Sequence, residues 1–466
     1  MPRTWEPNFV IYGMFLVFVL ARYMQWGYRR EIFAVTRFEL LLGVILLCAC
    51  VLIAATRPVQ LRDGARLIYA ILALYVVLAI QVPFAYDPPA AERGFTEGVV
   101  KHSFLTVFML ILIRSPRQYK LFVLTWLLAC FYVYQESTRG LIGGGLYWQN
   151  QGIMRLHGAV PIYHHPNSLG AFAVDALPFV FYLFIPARKL LVRAWFVAIL
   201  VLGAVCVVYS GSRSAYLALV GFVLFVWGMS KQKTKALLIG LLVLPVLVVL
   251  VPDQYVGRFE SIGGDSTTGR SREARLALME DAWQLFLQNP LGTGLEAFPK
   301  LRYDTYGANA QYTHNLYLEI LVATGIQGLI VFSIFIFALV DALKRAKTRT
   351  EALIRTVRRS AARLPSGQHE FAGTLLNDLL LARGMVLGCL GFLVMHLLMG
   401  MFGHDLLYVY WWFLAGNAFV LLRVTRVLGR RVAILVNASE AANDLQPGNS
   451  TDGMAFRNTQ TSSGAR

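Results

Sequence analysis

The stretch Phe38–Thr56 reads FELLLGVILLCACVLIAAT, and its only charged side chain is Glu39. Four more stretches carry almost no charge: Leu67–Phe84, Ala194–Tyr209, Ala236–Val251 and Leu316–Val340. A helix needs about 20 such residues to cross a bilayer, because lipid offers no hydrogen bonds to the backbone. Strands of a membrane barrel would alternate polar and apolar side chains, and these stretches do not. The sequence therefore predicts an all-α integral membrane protein.

Hydropathy predicts about twelve membrane helices in this chain. They cover residues 8–23, 38–56, 66–84, 100–113, 119–137, 166–185, 194–210, 215–229, 236–251, 316–340, 384–402 and 405–423. The first is a membrane helix rather than a cleaved signal, because Arg22, Gln25 and Arg29 follow it without a small-residue cleavage site.

The basic residues predict the orientation, since Lys and Arg collect in short cytoplasmic loops. The basic segments are Arg57–Arg66, Arg114–Lys120, Arg188–Arg193, Lys231–Lys235, Lys344–Arg383 and Arg423–Arg431. All of them fall on one side if the N-terminus is cytoplasmic, whereas Arg29, Arg30 and Arg37 fall outside. This asymmetry explains the formal net charge of +17 better than nucleic-acid binding does.

This orientation predicts four regions along the chain. They are membrane helices over 1–251, a periplasmic loop with short helices over 252–314, membrane helices over 315–431 with a basic cytoplasmic loop at 341–383, and a disordered cytoplasmic tail over 432–466. The periplasmic side also holds the loop 138–165, the tight turn Gly211–Ser214 and a turn near His404. Within the long loop, Arg275–Leu287 is predicted to be an amphipathic helix. Its apolar face is expected to contain Leu276, Met279, Trp283 and Leu287.

External arginines are the sharpest functional signal in the sequence. Arg213 lies between two hydrophobic helices, and Arg270, Arg272 and Arg275 cluster ahead of the external helix. A guanidinium holds phosphate through two parallel hydrogen bonds and keeps its charge. Two arginines from different segments could therefore clamp a diphosphate at the membrane surface. Binding of a lipid headgroup or capping of a neighbouring helix is the alternative.

Three further residues could carry chemistry, and two of them, His314 and Glu319, lie at the start of the helix that begins near Leu316. A neutral imidazole at His314 could take a proton from a sugar hydroxyl, although a histidine at a helix start is often a capping residue. Glu319 lies inside an apolar run, where an ionisable group is expensive and usually paired, so it could orient His314 or pair with an arginine. Asp175 in the sixth helix raises the same question.

The sequence lacks the motifs of several common classes of enzyme and metal site. The sequence contains no Walker loop, no dinucleotide fingerprint, no Ser-His-Asp signature and no Asp-rich cluster for a divalent metal. The adjacent His164 and His165 would point in different directions, so they do not suggest a metal pair. All five cysteines lie in apolar runs. We therefore expect no metal and no cofactor, and a donor that carries its own leaving group, as a polyprenyl diphosphate does.

Three blocks of sequence together resemble a known family. Ser210-Gly-Ser-Arg-Ser-Ala-Tyr-Leu-Ala-Leu resembles the Ser-Arg-small-small-Leu turn of the O-antigen ligase/polymerase superfamily. Ala274-Arg-Leu-Ala-Leu-Met and Asn289-Pro-Leu-Gly-Thr-Gly-Leu-Glu-Ala-Phe resemble its Arg-Leu-x-x-Trp and His-Pro-x-x-Gly-x-Gly-x-x-x-Phe block, with Met279 in place of the usual Trp. Thr313-His-Asn-Leu-Tyr-Leu-Glu and Gly325-Ile-Gln-Gly match its His-Asn-x9-Gly-x-x-Gly pattern. A weaker match is His165-Pro-Asn-Ser-Leu-Gly.

The resemblance implies a bacterial inner-membrane enzyme that transfers a glycan from undecaprenyl diphosphate to an acceptor hydroxyl on the periplasmic face, with inversion. By position, Arg213 and either Arg275 or Arg272 would hold the diphosphate, and His314 would activate the acceptor. Supporting positions would be Asn315, Glu319 and His165.

Members of this family differ in their acceptors. An O-antigen ligase acting on lipid A-core in lipopolysaccharide biosynthesis is the predicted activity; a polymerase acting on a growing polysaccharide and a protein O-glycosyltransferase are the alternatives. A transporter of lipid-linked sugars is less favoured, because few charged groups lie inside the predicted membrane helices. A receptor or structural protein is the third possibility. The expected partners are the lipid-linked donor, the acceptor and membrane lipids, and no nucleic acid.

Overall fold

The computed structural model describes residues 8–57, 62–150, 152–234, 238, 255, 267–361, 369–403 and 405–444, with the backbone alone at 267–272 and 441–444. Apart from Leu238, the predicted helix 236–251 lies outside these residues. So do His404 and residues 445–466 of the predicted tail.

The first part of the chain is helical up to a short β-hairpin. Its helices are α1 (Phe9–Met24), α2 (Trp26–Arg29), α3 (Glu31–Val35), α4 (Phe38–Thr56), α5 (Ala65–Ile80), α6 (Pro88–Arg93), α7 (Lys101–Leu112) and α8 (Pro116–Ile142). A 3₁₀ turn at Arg62–Gly64 leads into α5, and a π-helical segment at Gly94–Val100 joins α6 to α7. The hairpin pairs β1 (Tyr147–Asn150) with β2 (Ile153–Leu156) in antiparallel register.

The second part of the chain consists of helices joined by turns and loops in the residues that the structure describes. Its helices are α9 (Pro161–His164), α10 (Pro166–Asp175), α11 (Leu177–Phe184), α12 (Leu190–Ser210), α13 (Arg213–Met229), α14 (Thr267–Gln288), α15 (Phe298–Tyr306), α16 (Leu316–Ala361), α17 (His369–Met399) and α18 (Val409–Asp444).

Length and hydropathy mark seven helical segments in the described ranges as able to cross a membrane. They are Phe38–Thr56, Arg62–Ile80, Pro88–Leu112, Pro166–Phe184, Leu190–Ser210, Leu316–Ala361 and His369–Met399. Two shorter apolar helices are α1 and α13. The prediction of an all-α membrane protein is confirmed, whereas the count of about twelve membrane helices stays a prediction.

The centre of the bundle is built around α16, which packs against α5, α17 and α18. Large aromatic side chains fill the space between the other helices. The ring centroids of Trp126 on α8 and Phe179 on α11 are 5.0 Å apart, and Phe413 on α18 lies 4.8 Å from Trp126. Such edge-on and tilted contacts add to the burial of the rings themselves. One large core therefore holds most of the bundle, and α14 and α15 pack on α16 through a second, smaller cluster.

A break interrupts α16 within the predicted helix 316–340. Gly325 has φ 69° and ψ −171°, far from helical values. The backbone groups that the break releases bond to the loop after α14: the amides of Thr293 and Gly294 donate to the carbonyls of Val322 and Ala323 at 2.8 and 3.1 Å. A Cβ on Gly325 would lie 2.4 Å from the Pro290 carbonyl oxygen. The glycines of the second and third sequence blocks thus allow two backbones to meet.

The buried face of α14 is not the one predicted. The side chains of Leu278, Ala282 and Leu285 are buried. Leu276, Trp283 and Leu287 of the predicted face are instead more than two-fifths exposed, and Met279 is intermediate. The prediction was wrong because α14 is apolar on two sides, and periodicity alone does not say which side meets protein and which is left outward.

The structure adds secondary structure to two other segments and corrects the predicted start of the disordered tail. The loop 138–165 contains the end of α8, the hairpin and α9. The basic segment 341–383 continues the membrane helices, as α16 to Ala361 and α17 from His369, with residues 362–368 outside the described part. Helix α18 runs to Asp444, well beyond the start of the predicted disordered tail at 432.

Candidate active site

The turn between α12 and α13 places Arg213 at the first position of a helix. Gly211 ends α12 with a left-handed φ of 57°, and the Ser212 hydroxyl caps α13 by accepting from the Ala215 amide at 3.5 Å. The N-terminus of a helix carries partial positive charge, so it disfavours a cation and favours an anion. A guanidinium at this position therefore suits an anionic ligand that binds both the helix end and the arginine.

Arg275 is brought to this turn by the docking of α14. Buried leucines of α14 pack toward α15 and α16, and the Arg302 guanidinium donates to the Asp281 carboxylate at 2.7 Å. Arg275 itself is partly buried. Burial and the nearby charge of Arg213 lower the pKa of Arg275. The charge of Arg213 thus acts on Arg275 from a separate segment, and two such guanidiniums are unfavourable together without a negative charge between them.

His314 occupies an unusual backbone position immediately before α16. Its φ is 49°, in the left-handed region that non-glycine residues rarely adopt. The caps of α16 come from Asn315, whose side-chain oxygen accepts from the amides of Tyr317 and Leu318 at 3.0 and 3.1 Å. Asn315 is therefore the residue whose side chain is seen to cap α16. Strained residues that the surroundings hold in place cluster at functional sites.

Electrostatic interactions connect four of the predicted residues: Arg275 with Arg213, His314 with Arg275, and His165 with His314. Burial lowers the pKa of His314 below its ordinary value of 6.5, and the charge of Arg275 lowers it further. Burial, followed by Arg155 and then His314, lowers the pKa of His165. His314 is therefore a neutral imidazole at physiological pH, able to accept a proton beside the fixed positive charge of Arg275.

His165 caps α10 at the edge of this group. Its Nδ1 accepts from the Asn167 amide at 3.1 Å, which leaves Nε2 as the protonated nitrogen of the neutral ring. The rings of Trp148, His157 and His164, the residue before it, form a cluster with centroids 4.5 to 4.7 Å from one another. The charge of His314 also acts on His165, although the hydrogen bond seen at His165 is structural.

Glu319 lies in a different environment from the one predicted. Its carboxylate accepts from the Leu406 amide at 3.4 Å. Burial and the charges of Asp405, Glu319 and Glu296 raise the pKa of Tyr408 to about 12, which shows that these acids lie together. In the ranges that the structure describes, no ion pair joins Glu319 to an arginine and no hydrogen bond joins it to His314. Its expected partners are therefore not seen.

Asp175 has a partner that sequence reasoning missed. The His396 imidazole lies 2.8 Å from the Asp175 carboxylate, and both side chains are buried in the bundle. The pair links α10 to α17, two helices far apart in sequence. An ionisable residue inside a membrane helix is the signal that pointed to Asp175. Nothing local pointed to His396, since a single histidine in an apolar helix carries no pairing information.

Two of the predicted arginines are not described at side-chain level. Arg272 and Arg270 lie where only the backbone of α14 is described. The positions of their side chains therefore cannot be set beside that of Arg275. A fully buried arginine, Arg155, was missed altogether, because a single basic residue in a loop gives no sequence signal. Among the described residues, no group of three or more His, Cys, Asp or Glu side chains is placed to hold a metal ion.

Comparison with known protein families identifies the region that contains this group. Residues 198–333 match the family described as O-antigen ligase. They include Arg213, Arg275 and His314, while His165 and Arg155 precede them. No curated protein matches the chain. The family match confirms the resemblance to the O-antigen ligase/polymerase superfamily.

Proposed function

We propose that this chain, whose residues 198–333 belong to the O-antigen ligase family, is an inverting glycosyltransferase with a polyprenyl-diphosphate-linked glycan as its donor. The grouping of Arg213, Arg275 and His314 carries the proposal. Two guanidiniums and a helix N-terminus suit a diphosphate, and a neutral imidazole beside them suits an acceptor hydroxyl. The sequence resemblance supplies undecaprenyl diphosphate as the lipid carrier.

The proposed reaction is a single displacement at the anomeric carbon. The acceptor oxygen forms a bond to this carbon while the bond from the carbon to the diphosphate oxygen breaks, which inverts the configuration. His314 takes the hydroxyl proton. The bonding electron pair leaves with undecaprenyl diphosphate, and Arg213 and Arg275 neutralise the negative charge that it gains. This assignment needs neither a metal ion nor a nucleotide.

We favour lipid A-core as the acceptor, which makes the enzyme an O-antigen ligase of the inner membrane. The alternatives within the superfamily are a polymerase, whose acceptor is a second lipid-linked glycan, and a protein O-glycosyltransferase. A transporter of lipid-linked sugars is less favoured, since Arg213 and His314 lie at helix starts and Arg275 lies within α14, outside the predicted membrane helices.

Reconstitution tests the activity directly. Purified protein in liposomes is given an undecaprenyl-diphosphate-linked glycan and lipid A-core, and glycan-bearing lipid A-core is detected by its reduced electrophoretic mobility. We expect product in the presence of EDTA. Loss of activity in EDTA that Mg²⁺ restores would contradict the role assigned to the arginines.

A deletion strain separates the acceptor classes. A ligase mutant should lose long-chain lipopolysaccharide and accumulate lipid-linked polymer, because polymerisation continues without transfer. Accumulation of single lipid-linked repeat units would instead identify a polymerase. Normal lipopolysaccharide together with unglycosylated target proteins would identify a protein O-glycosyltransferase.

A further inference from the structure

The β-hairpin carries a buried arginine that contacts three parts of the chain. The side chain of Arg155 is 0% exposed. Its Nε donates to the Ser210 carbonyl at 2.6 Å, its Nη1 donates to the Asn150 side-chain oxygen at 2.9 Å, and its Nη2 donates to the Asn167 side-chain oxygen. One guanidinium thus joins the hairpin, the start of α10 and the end of α12.

The bond to Ser210 matters because of where that carbonyl lies. The last carbonyls of a helix lack partners within the helix, and a cation near them is favourable. Ser210 is the last residue of α12, and Gly211 turns the chain immediately after it. Only Ser212 separates Gly211 from Arg213. The carbonyl that Arg155 holds is therefore three residues from the guanidinium assigned to the diphosphate.

Other contacts allow little freedom in this turn. A Cβ on Gly170 of α10 would lie 2.6 Å from the Ser210 hydroxyl, so the two elements are in close contact. The Tyr255 hydroxyl lies 2.7 Å from the Met154 carbonyl and 3.1 Å from the Tyr209 carbonyl, which ties the hairpin to the same helix end. Arg155 is the charged member of this set, and its charge also reaches His165.

We propose that Arg155 is a positioning residue for donor binding: its three hydrogen bonds hold the Ser210–Arg213 turn in the conformation that aims Arg213 at the diphosphate. The inference rests on the proposed function. Arg155 acts through Arg213 and does not contact the donor. A lysine at this position keeps the charge but not the fork of hydrogen bonds, so Arg213 would lose its fixed orientation.

Binding of undecaprenyl diphosphate to the purified full-length protein in nanodiscs is the test. Arg155→Lys should weaken binding about tenfold, as expected for loss of charge-assisted hydrogen bonds. Because Arg155 acts through Arg213, the double variant with Arg213→Lys should bind no more weakly than Arg213→Lys alone. Gln149→Ala, an exposed residue on the other face of the hairpin, is the matched control and should bind normally.

Each other outcome has a separate meaning. Multiplied losses in the double variant would show that Arg155 contacts the donor itself and would overturn the positioning role. A lower binding fraction and melting temperature with an unchanged dissociation constant would show a purely structural role and would also overturn it. Failure of the unaltered protein to bind undecaprenyl diphosphate would instead remove the proposed function, and this inference with it.

A milder variant covers the case in which Arg155→Lys does not fold. Asn167→Ala removes a single acceptor of the guanidinium and leaves the arginine in place. Its binding should fall about threefold, in line with one ordinary hydrogen bond. Unchanged affinity in this folded variant would contradict the proposal.

Discussion

His314 has a backbone conformation that costs a non-glycine residue on the order of 1–3 kcal/mol, with a φ of 49°. Asparagine accepts this conformation more readily than other non-glycine residues. His314→Asn therefore keeps the backbone while it removes the base. We expect turnover to fall by about 100-fold or more, with donor affinity nearly unchanged.

Measurements on matched amounts of folded protein separate this result from a stability effect. His314→Ala should lose the same rate and also some stability, because alanine tolerates the left-handed region poorly. His164→Asn, at an exposed neighbouring histidine, is the control and should keep its rate. If His314→Asn turns over normally, another group is the base.

The pH dependence of the reaction follows from the environment of His314. Burial and Arg275 lower its pKa below 6.5, so the proton-accepting form is present at neutral pH and is lost only in more acidic solution. We expect the acidic limb of kcat/KM to lie below pH 6.5. Arg275→Gln removes the positive charge, so the limb should move to higher pH in addition to any loss of donor binding. An unchanged limb would mean that Arg275 does not act on the base.

The break in α16 sets the position of α14, and it depends on one glycine. Gly325→Ala would place a Cβ at φ 69° and 2.4 Å from a carbonyl oxygen. We expect a loss of at least about 1–2 kcal/mol of stability from the backbone conformation alone. Weaker donor binding should accompany it, because α14 carries Arg275. Thermal unfolding in detergent and binding of undecaprenyl diphosphate measure the two effects.

Gly373 on α17 is the matched control, since a Cβ there would meet no atom within 4 Å. Alanine should stabilise this helical position by about 0.5–1 kcal/mol. Equal melting temperatures for the two variants would show that the break carries no strain for a side chain, and would contradict its role in docking α14.

The sequence predicts features that depend on neighbouring residues, and it misses features that depend on contacts between distant segments. Phe38–Thr56 and Leu190–Ser210 are long apolar runs, and hydropathy alone predicts them. The break at Gly325 depends on a backbone segment more than thirty residues earlier, at Pro290–Gly294, which offers no local signal. The grouping of Arg213, Arg275 and His314 was predicted from family blocks, whereas the part of Arg155 depends on hydrogen bonds between distant segments.

The buried pair of Asp175 and His396 couples two helices and should show strong coupling when it is altered. The histidine ring also lies between Phe392 and Tyr410, with each centroid 4.2 Å away. Removal of one partner leaves the other buried without its hydrogen-bond partner, which costs about 1–3 kcal/mol. Asp175→Leu and His396→Leu should therefore each lower the melting temperature markedly.

The double variant tests whether the pair itself causes this loss. Replacing both partners with apolar residues of suitable size is often close to neutral. We expect the doubly substituted protein to be more stable than either single variant. Losses that add in the double variant would show that the two residues contribute independently.

At the scale of the whole molecule, charge separates the two ends of the bundle. At the end away from the candidate site, Asp63 pairs with Arg426 and Arg349, and Asp341 pairs with Arg345 at 3.1 Å, within a surplus of basic residues. At the site end, the unexpected external arginine Arg29 pairs with Glu136. Pairing of this kind reduces the cost of an arginine that departs from the usual asymmetry.

This asymmetry predicts which end faces the periplasm. The length of α16 lets us choose two test positions that lie on opposite sides of the membrane. Thr348 lies 23 residues after the break at Gly325, roughly 35 Å along the helix and more than the ~30 Å thickness of the hydrocarbon core. Thr305 on α15 lies near the other end of α16, and both side chains are exposed.

Cysteine at Thr305 should react with a membrane-impermeant thiol reagent in intact spheroplasts, and cysteine at Thr348 should react only after the membrane is permeabilised. Both variants are made with Cys48→Ala, since Cys48 is the exposed native thiol of the described chain. The reverse pattern would place His314 and the two arginines on the cytoplasmic side, where an acceptor on the periplasmic face is out of reach, and would end the proposed reaction.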